Sequence, residues 1–267
     1  MLNVDLGYLT FKLAFGGFET WQAKHGKDVA IAAVDSKSVR KQLYPDYKKY
    51  RNVDKDAVLE MVWSLRREVE EDKLLPLCQI DGLEADDLVA CWSLFNSEDR
   101  IVGIDKDFFQ LPNTEYVYYH SMKPYSVIDA IGNLPQYVQS LASRNFALYQ
   151  ILLGDVADNI PRLLAKGKRG KEQIADVYAA DMLGQLGDCL LSTFGEQAKI
   201  NAGLVLLPFY TYCDYDILQF DDWFDCWSSG HYYDIGNWQR LYLKMQQCML
   251  PNRVKQDVET LEMFSLI

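Results

Sequence analysis

Glu84-Ala85-Asp86-Asp87 places three carboxylates within four residues, directly after a strand-like run at 77–80. Like charges about 4 Å apart repel by about 4 kcal/mol at a surface-like dielectric, so such a cluster either faces open water or waits for a cation. Acidic residues are also favoured in the first turn of a helix, where the helix dipole welcomes negative charge. A helix start alone therefore accounts for the stretch as well as a site does. Other acidic residues tilt the balance. Asp5 and Asp35 each close a short apolar run, Asp105-Lys106-Asp107 closes another at 100–104, and Gly154-Asp155-Val156-Ala157-Asp158-Asn159-Ile160-Pro161 carries two more. Asp155 and Asp158 stand three apart, the spacing that puts two side chains on one helical face. Singly, each Asp is an ordinary turn former. Gathered together, carboxylate oxygens in this number suit a hard divalent cation.

The basic residues complement this set. The net charge is −11, which argues against a nucleic-acid binder, yet 12 of the 27 Lys and Arg residues fall in two short stretches, 36–56 and 162–171. In the first, Lys and Arg interleave with tyrosines (Arg40, Lys41, Tyr47, Lys48, Arg51), the chemistry of gripping a phosphate backbone while stacking on bases. In the second, Lys166, Lys168, Arg169 and Lys171 surround Gly167 and Gly170. A phosphate-cradling P-loop is excluded there, because GxxxxGK[ST] needs Gly at 165 and Ser or Thr at 172, where the chain has Ala165 and Glu172. The glycines suit a tight turn between two helices whose amides and lysines meet a backbone phosphate. Without nine candidate carboxylates the net charge would be −2, so overall acidity does not exclude a DNA partner.

The elements that must position these groups follow from apolar patterning. Runs at 2–5, 29–34, 77–80 and 100–104 read as buried strands alternating with helical segments, a rhythm that argues for an α/β fold with a parallel sheet and right-handed crossovers. In such sheets the carboxyl ends of the strands form the ligand crevice. The run at 8–15 could begin a helix. Val58, Met61, Val62, Leu65 and Val69 sit at helical spacing and read as scaffold. Runs at 116–120 and 125–129 suggest an edge hairpin, 146–153 a buried helix and 172–178 a further helix. Beyond Asp181 the chain is acidic and aromatic, and reads as a helical lid or packing layer.

No run of eighteen apolar residues appears, and the amino terminus lacks the features of a signal peptide, so a cytoplasmic protein with no membrane partner is expected. The six cysteines form no CxxC pair and the three histidines are scattered, which points away from zinc and from a disulfide framework.

In order and spacing, Gly-x-Glu-Ala-Asp-Asp, Asp-Lys-Asp-Phe-x-Gln-Leu, Gly-Asp-x-x-Asp-Asn-Ile-Pro and an upstream Arg-x4-Pro-x-Tyr-Lys-x2-Arg resemble the 5′-nuclease superfamily of phage 5′-exonucleases, flap endonucleases, phage RNase H and the 5′-nuclease domain of DNA polymerase I. The resemblance covers about 4–178. It implies a PIN-like (Rossmann-like), mostly parallel sheet flanked by helices, with a helical arch at 36–56 inside a nuclease core at 1–140, a helix–three-turn–helix duplex-binding element at 141–180, and a helical region at 181–267. It also implies two divalent ions, Mg2+ or Mn2+ in its place. Asp5, Asp35, Glu84 and Asp86 would ring the first, and Asp87, Asp105, Asp107, Asp155 and Asp158 would hold the second or its waters. Asp86 and Asp105 are the carboxylates whose loss should abolish catalysis. Lys48 and Arg51 would contact the scissile or adjacent phosphate, with Arg40 and Lys41 as further clamps. The hairpin at 162–167 departs from the glycine-rich pattern, which leaves a monovalent-cation site there uncertain.

The expected activity is a structure-dependent 5′ to 3′ exonuclease and flap endonuclease acting on DNA with 5′ ends or flaps, with RNA:DNA hybrid as a further substrate and a single-stranded-DNA-binding protein as a potential partner. A stand-alone monomer of phage type is expected, since neither a polymerase-sized region nor a sliding-clamp motif follows. The alternatives are a PIN-type ribonuclease and a DNA-binding homologue without catalysis.

Overall fold

The computed structural model describes residues 2–5, 30–33, 35–50, 77–96, 100–103, 105–112, 115–118, 123–124, 126–209 and 220–249. The segments at 8–15 and 58–69, and Arg51, lie outside these residues.

Strands β1 (Leu2–Asp5), β2 (Ala30–Ala33), β3 (Leu77–Cys78), β4 (Arg100–Gly103), β5 (Glu115–Tyr118) and β6 (Lys123–Pro124) form one sheet in the order β3-β2-β1-β4-β5-β6. The first five run parallel, and β6 pairs antiparallel with β5 at the edge, where a proline costs no interior ladder bond. The chain leaves β1 toward β2 on one side and returns with β4 on the other. The crevice at the carboxyl ends of β1 and β4 is therefore the topological switch point of the sheet.

Helices follow from local chemistry. α1 (Arg40–Leu43) is a single turn, and α2 (Ala85–Phe95) is buried along most of its length, packing Leu88, Val89 and Trp92 into the core. A 3-10 turn (Lys106–Gln110) succeeds β4, with the Asp105 side chain accepting from the Asp107 amide at 3.0 Å. The expected second arm of the edge hairpin is helical instead: α3 (Val127–Ile131) starts at Ser126, whose hydroxyl accepts from the Asp129 amide while the Asp129 carboxylate accepts from the Ser126 amide. That reciprocal capping box outweighs the strand-like composition of the run.

α4 (Gln136–Arg144) precedes α5 (Phe146–Leu153), which is buried on nearly every side as its sequence required. α6 (Gly167–Met182) begins five residues before the start expected at 172, so the basic glycine-containing run forms its first turn rather than a loop. Gly170 makes this possible. A Cβ there would come within 2.1 Å of the Ala165 carbonyl oxygen, so only glycine lets the helix sit against the preceding turn. α7 (Leu186–Phe194), α8 (Glu196–Val205), α9 (Phe220–Ser228) and α10 (Gln239–Met249) complete the described helices. α8 lies on α5 through Asn201, fully buried, whose amide donates to the carbonyls of Ile151 and Pro161 at 2.8 and 2.7 Å. α10 packs on α2, where Tyr242 stacks on Phe95 with ring centroids 4.1 Å apart. No described helix is long and apolar enough to cross a membrane.

Candidate active site

The carboxyl ends of the parallel strands bring the candidate carboxylates to one edge. Asp5 is the last residue of β1 and stands in register with Ala33 of β2. Asp35 follows β2 and caps α2, its Oδ1 accepting from the Ala85 amide at 2.7 Å. Glu84, at the N-cap of α2, follows β3, and Asp105 follows β4.

Around Glu84 the groups are densely paired. Lys48 Nζ lies 2.8 Å from both carboxylate oxygens, the Tyr47 hydroxyl donates to Oε2 at 3.1 Å, and Arg40 adds a longer contact at 3.4 Å. Burial works to raise the Glu84 pKa, but Arg40 and Lys48 outweigh it and hold the carboxyl below its ordinary range. Burial likewise opposes the Lys48 charge, yet its neighbours, Glu84, Asp86 and Asp158 among them, keep the ammonium protonated far above its usual range.

Three of the assigned roles are corrected by this geometry. Arg40, expected to clamp DNA, is 1% exposed, and all five of its N–H groups are engaged. It makes a bidentate pair with Asp87 at 2.7 and 2.8 Å, reaches Glu84, and donates to the carbonyls of Leu204 and Leu206 at 3.1 and 3.2 Å, with the Phe209 ring 4.6 Å from the guanidinium. Asp87, expected on a metal, is fully buried; its two oxygens take the guanidinium and the Glu84 amide, the latter at 2.9 Å. Tyr47, expected to touch nucleic acid, is 3% exposed with its hydroxyl on Glu84. All three build the floor of the site.

The second group surrounds the 3-10 turn. Gln150, buried on α5, donates to Asp107 Oδ1 at 2.5 Å, and Lys106 Nζ lies 2.6 Å from Asp155 Oδ2. Burial pushes the Asp107 pKa well above its ordinary value, and the charges of Asp105, Asp155 and Asp158 add to that. Asp155 moves the other way, because Lys106 and two backbone amides outweigh the effect of burial.

Asp155 and Asp158 do not share a helical face. Gly154 ends α5 at φ +65°, and Asp155 then bridges Ile160 in both directions, its amide 3.0 Å from the Ile160 carbonyl and its own carbonyl 2.7 Å from the Ile160 amide. The Asp155 side chain also accepts from the Ala157 amide at 2.8 Å, so the segment closes as a tight loop. A Cβ on Gly154 would meet the Ile160 carbonyl at 2.3 Å. This loop is stitched to the Lys48 segment by two bonds, Lys48 N–H to the Asp158 carbonyl at 2.9 Å and Asn159 Nδ2 to the Asp46 carbonyl at 3.1 Å. Lys48 and Asn159 both adopt left-handed backbone, φ +57° and +59°. For Lys48 that conformation costs on the order of 1 kcal/mol. The loop carrying Asp155 and Asp158 is thus tied to the segment carrying Lys48, and the two groups are halves of one basin.

Among the described residues no three His, Cys, Asp or Glu side chains are placed to hold a metal ion as they stand. The donors nonetheless fit hard divalent ions, and in each half a lysine ammonium lies against a carboxylate oxygen, as a bound cation would. At the start of α6, Lys166, Gly167, Lys168, Arg169 and Lys171 are exposed, while Gly170 is buried. Lys41 is exposed as well.

Residues 16–133 match the sequence model of the family described as 5'-3' exonuclease, N-terminal resolvase-like domain. Over that stretch the chain is similar to 5′-nucleases. It is similar to DNA polymerase I of Rhizobium leguminosarum, 29% identical over 54% of this chain and 14% of that one. It is also similar to flap endonuclease Xni of Shewanella woodyi, 29% identical over 62% of this chain and 64% of the relative. The chain thus spans less than two thirds of these curated relatives. Its fold is that of the bacteriophage T5 D15 flap endonuclease, solved as a pseudo-enzyme–product complex with DNA and metal ions: TM-score 0.57, 20% identity, covering 91% of this chain and 98% of that one.

Lys106 and Gln110 entered the sequence reading only as members of the Asp-Lys-Asp-Phe-x-Gln-Leu motif, without a role, and Gln150 was not singled out. A lone amide within the apolar run at 146–153 was the available signal for Gln150, since a buried polar group needs a partner.

Proposed function

We propose that the chain is a divalent-metal-dependent 5′ to 3′ exonuclease and flap endonuclease that hydrolyses DNA phosphodiesters to leave 5′-phosphates. The observation that carries this reading is the position of Lys48, whose ammonium lies against the Glu84 carboxylate while its amide donates to the Asp158 carbonyl. Asp5, Asp35, Glu84 and Asp86 would hold one Mg2+, and Asp105, Asp107, Asp155 and Asp158 the other. Two bound ions would supply Lewis acidity and lower the pKa of a bound water, so that the hydroxide able to attack phosphorus is available near neutral pH.

The chain's own residues do the rest. Lys48, permanently charged and fixed at both its amide and its side chain, neutralises a phosphate oxygen next to the scissile bond. The exposed Lys41 extends that grip toward a single-stranded 5′ end. α5, the turn at 154–166 and α6 form the helix–three-turn–helix element, whose exposed Lys166, Lys168, Arg169 and Lys171 meet duplex phosphates without reading bases. A monovalent cation at 162–167 is not needed on this reading, lysine charge standing in for it.

One assay decides: Mg2+-dependent cleavage of a 5′ flap, a nicked duplex, a blunt duplex and an RNA-primed duplex, with a chelator control. Cleavage of flap or duplex ends releasing 5′-phosphorylated products is expected. Cleavage of single-stranded RNA alone would make the protein a ribonuclease, and duplex binding with no cleavage of any substrate would make it a binding protein. Repeating the assay with a single-stranded-DNA-binding protein tests whether such a partner sets processivity.

A further inference from the structure

At the end of α8 the chain becomes extended, with Leu206 at φ −68° and ψ 137°, and residues 204–207 are all buried. Their backbone groups are used alternately by two polar side chains. The carbonyls of Leu204 and Leu206 accept from Arg40, at 3.1 and 3.2 Å. The carbonyl of Val205 accepts from Gln110 Nε2, and the amide of Leu207 donates to Gln110 Oε1, both at 2.9 Å.

Each of those side chains is fastened to a different half of the basin. Arg40 holds Asp87 and Glu84. Gln110 donates to the Asp107 carbonyl at 2.8 Å and touches Gln150, the residue that holds the Asp107 carboxylate. The Tyr233 hydroxyl donates to Gln110 Oε1 at 3.2 Å and brings the region beyond 220 into the same network.

We infer that residues 204–207 are a strut that sets the separation of the two carboxylate groups, and that Arg40 and Gln110 are the positioning residues through which it acts. Apolar side chains could fill this space at least as favourably as a buried guanidinium and amide, so filling the core does not by itself account for directional groups here. The last carbonyls of a helix have no partner within it, so the end of α8 and the extended Leu206 are free to hold two different side chains. Ions that bridge the halves would sense its geometry, as ions sense the groups that orient their ligands. The inference rests on the metal-dependent nuclease reading.

The test compares the full chain with Gln110→Met, Arg40→Lys and Tyr233→Phe, and with Phe95→Leu as a structural control that lies on the α2 and α10 contact, away from the strut. Mn2+ binding is titrated by electron paramagnetic resonance without DNA, the Mg2+ concentration for half-maximal cleavage is measured, and melting temperatures are taken in chelator. Gln110→Met and Arg40→Lys are expected to weaken Mn2+ binding by about tenfold or more and to raise the half-maximal Mg2+ concentration in proportion, with turnover recovering at saturating ion. Tyr233→Phe, which deletes one hydroxyl and keeps the fold, should move both readings in the same direction by a smaller factor. Unchanged ion binding in Gln110→Met and Tyr233→Phe would overturn the strut while leaving the nuclease reading intact. So would a shift no larger than that of Phe95→Leu at matched melting temperature. A wild-type chain that neither binds Mn2+ nor cleaves would overturn both.

Discussion

The Lys48 ammonium lies 2.8 Å from each oxygen of Glu84 while the Lys48 amide donates to the Asp158 carbonyl at 2.9 Å, so one residue is pinned to both sides of the basin. Lys48→Ala removes the side-chain half of that link and leaves the backbone half. Single-turnover cleavage should slow by about 10²–10³, the usual effect of deleting one fixed electrostatic contact to a reacting group. Duplex binding measured without cleavage should change little. A larger loss in binding than in rate would assign Lys48 to substrate capture.

Asp86 and Asp87 are neighbours with opposite expected behaviour. Asp87→Asn leaves the buried Arg40 charge without its partner and should cost about 3–5 kcal/mol of stability in denaturant unfolding. Asp86→Asn should melt close to wild type and yet lose cleavage in Mg2+. Loss of cleavage from both at equal stability would return Asp87 to the metal.

Stability without bound ions should depend on pH with two opposed signs. Glu84 and Asp155 have lowered pKa values, so their stabilisation is complete above their ordinary values of 4.5 and 3.8 and fades as pH falls through the lowered ones. Asp107 has a raised pKa, so its ionisation on going from acid toward neutral pH costs stability. Asp107→Asn should therefore raise the melting temperature in chelator at pH 7 while weakening Mn2+ binding. A lowered melting temperature would mean the carboxylate is compensated by groups other than those described.

The exposed cations at the start of α6 should act through charge alone. Changing Lys168 and Arg169 together to Ala should weaken duplex binding alike for unrelated sequences and reduce the log-log salt slope by about two, one per lost phosphate contact. Fluorescence anisotropy over a range of salt measures this. An unchanged slope would move the duplex contact elsewhere.

The strands were legible because buried parallel strands read as unbroken apolar runs, and β1, β2, β3 and β4 lie where such runs end in carboxylates. Arg40 was not legible. Within a basic stretch it looks like a phosphate clamp, and its burial depends on a carbonyl 164 residues further along the chain. Asp87 shared that fate, since a third carboxylate beside two others carries no local mark of its salt bridge. Asp155 and Asp158 suggested a helix by spacing, but the left-handed glycine before them ends α5 and the ladder with Ile160 takes over. The early start of α6 was hidden for a related reason, because two glycines in a basic run look like a loop until the Ala165 carbonyl is seen against Gly170.

Gly154 carries no functional group, yet the arrangement leaves it less room for change than several of the acids around it. Any side chain there must push Ile160 aside, and with it the short ladder that presents Asp158 to Lys48. In a saturation screen scored by cleavage, this position should therefore be as intolerant as the carboxylates themselves, alanine included: a hydrogen atom is the part that cannot be exchanged.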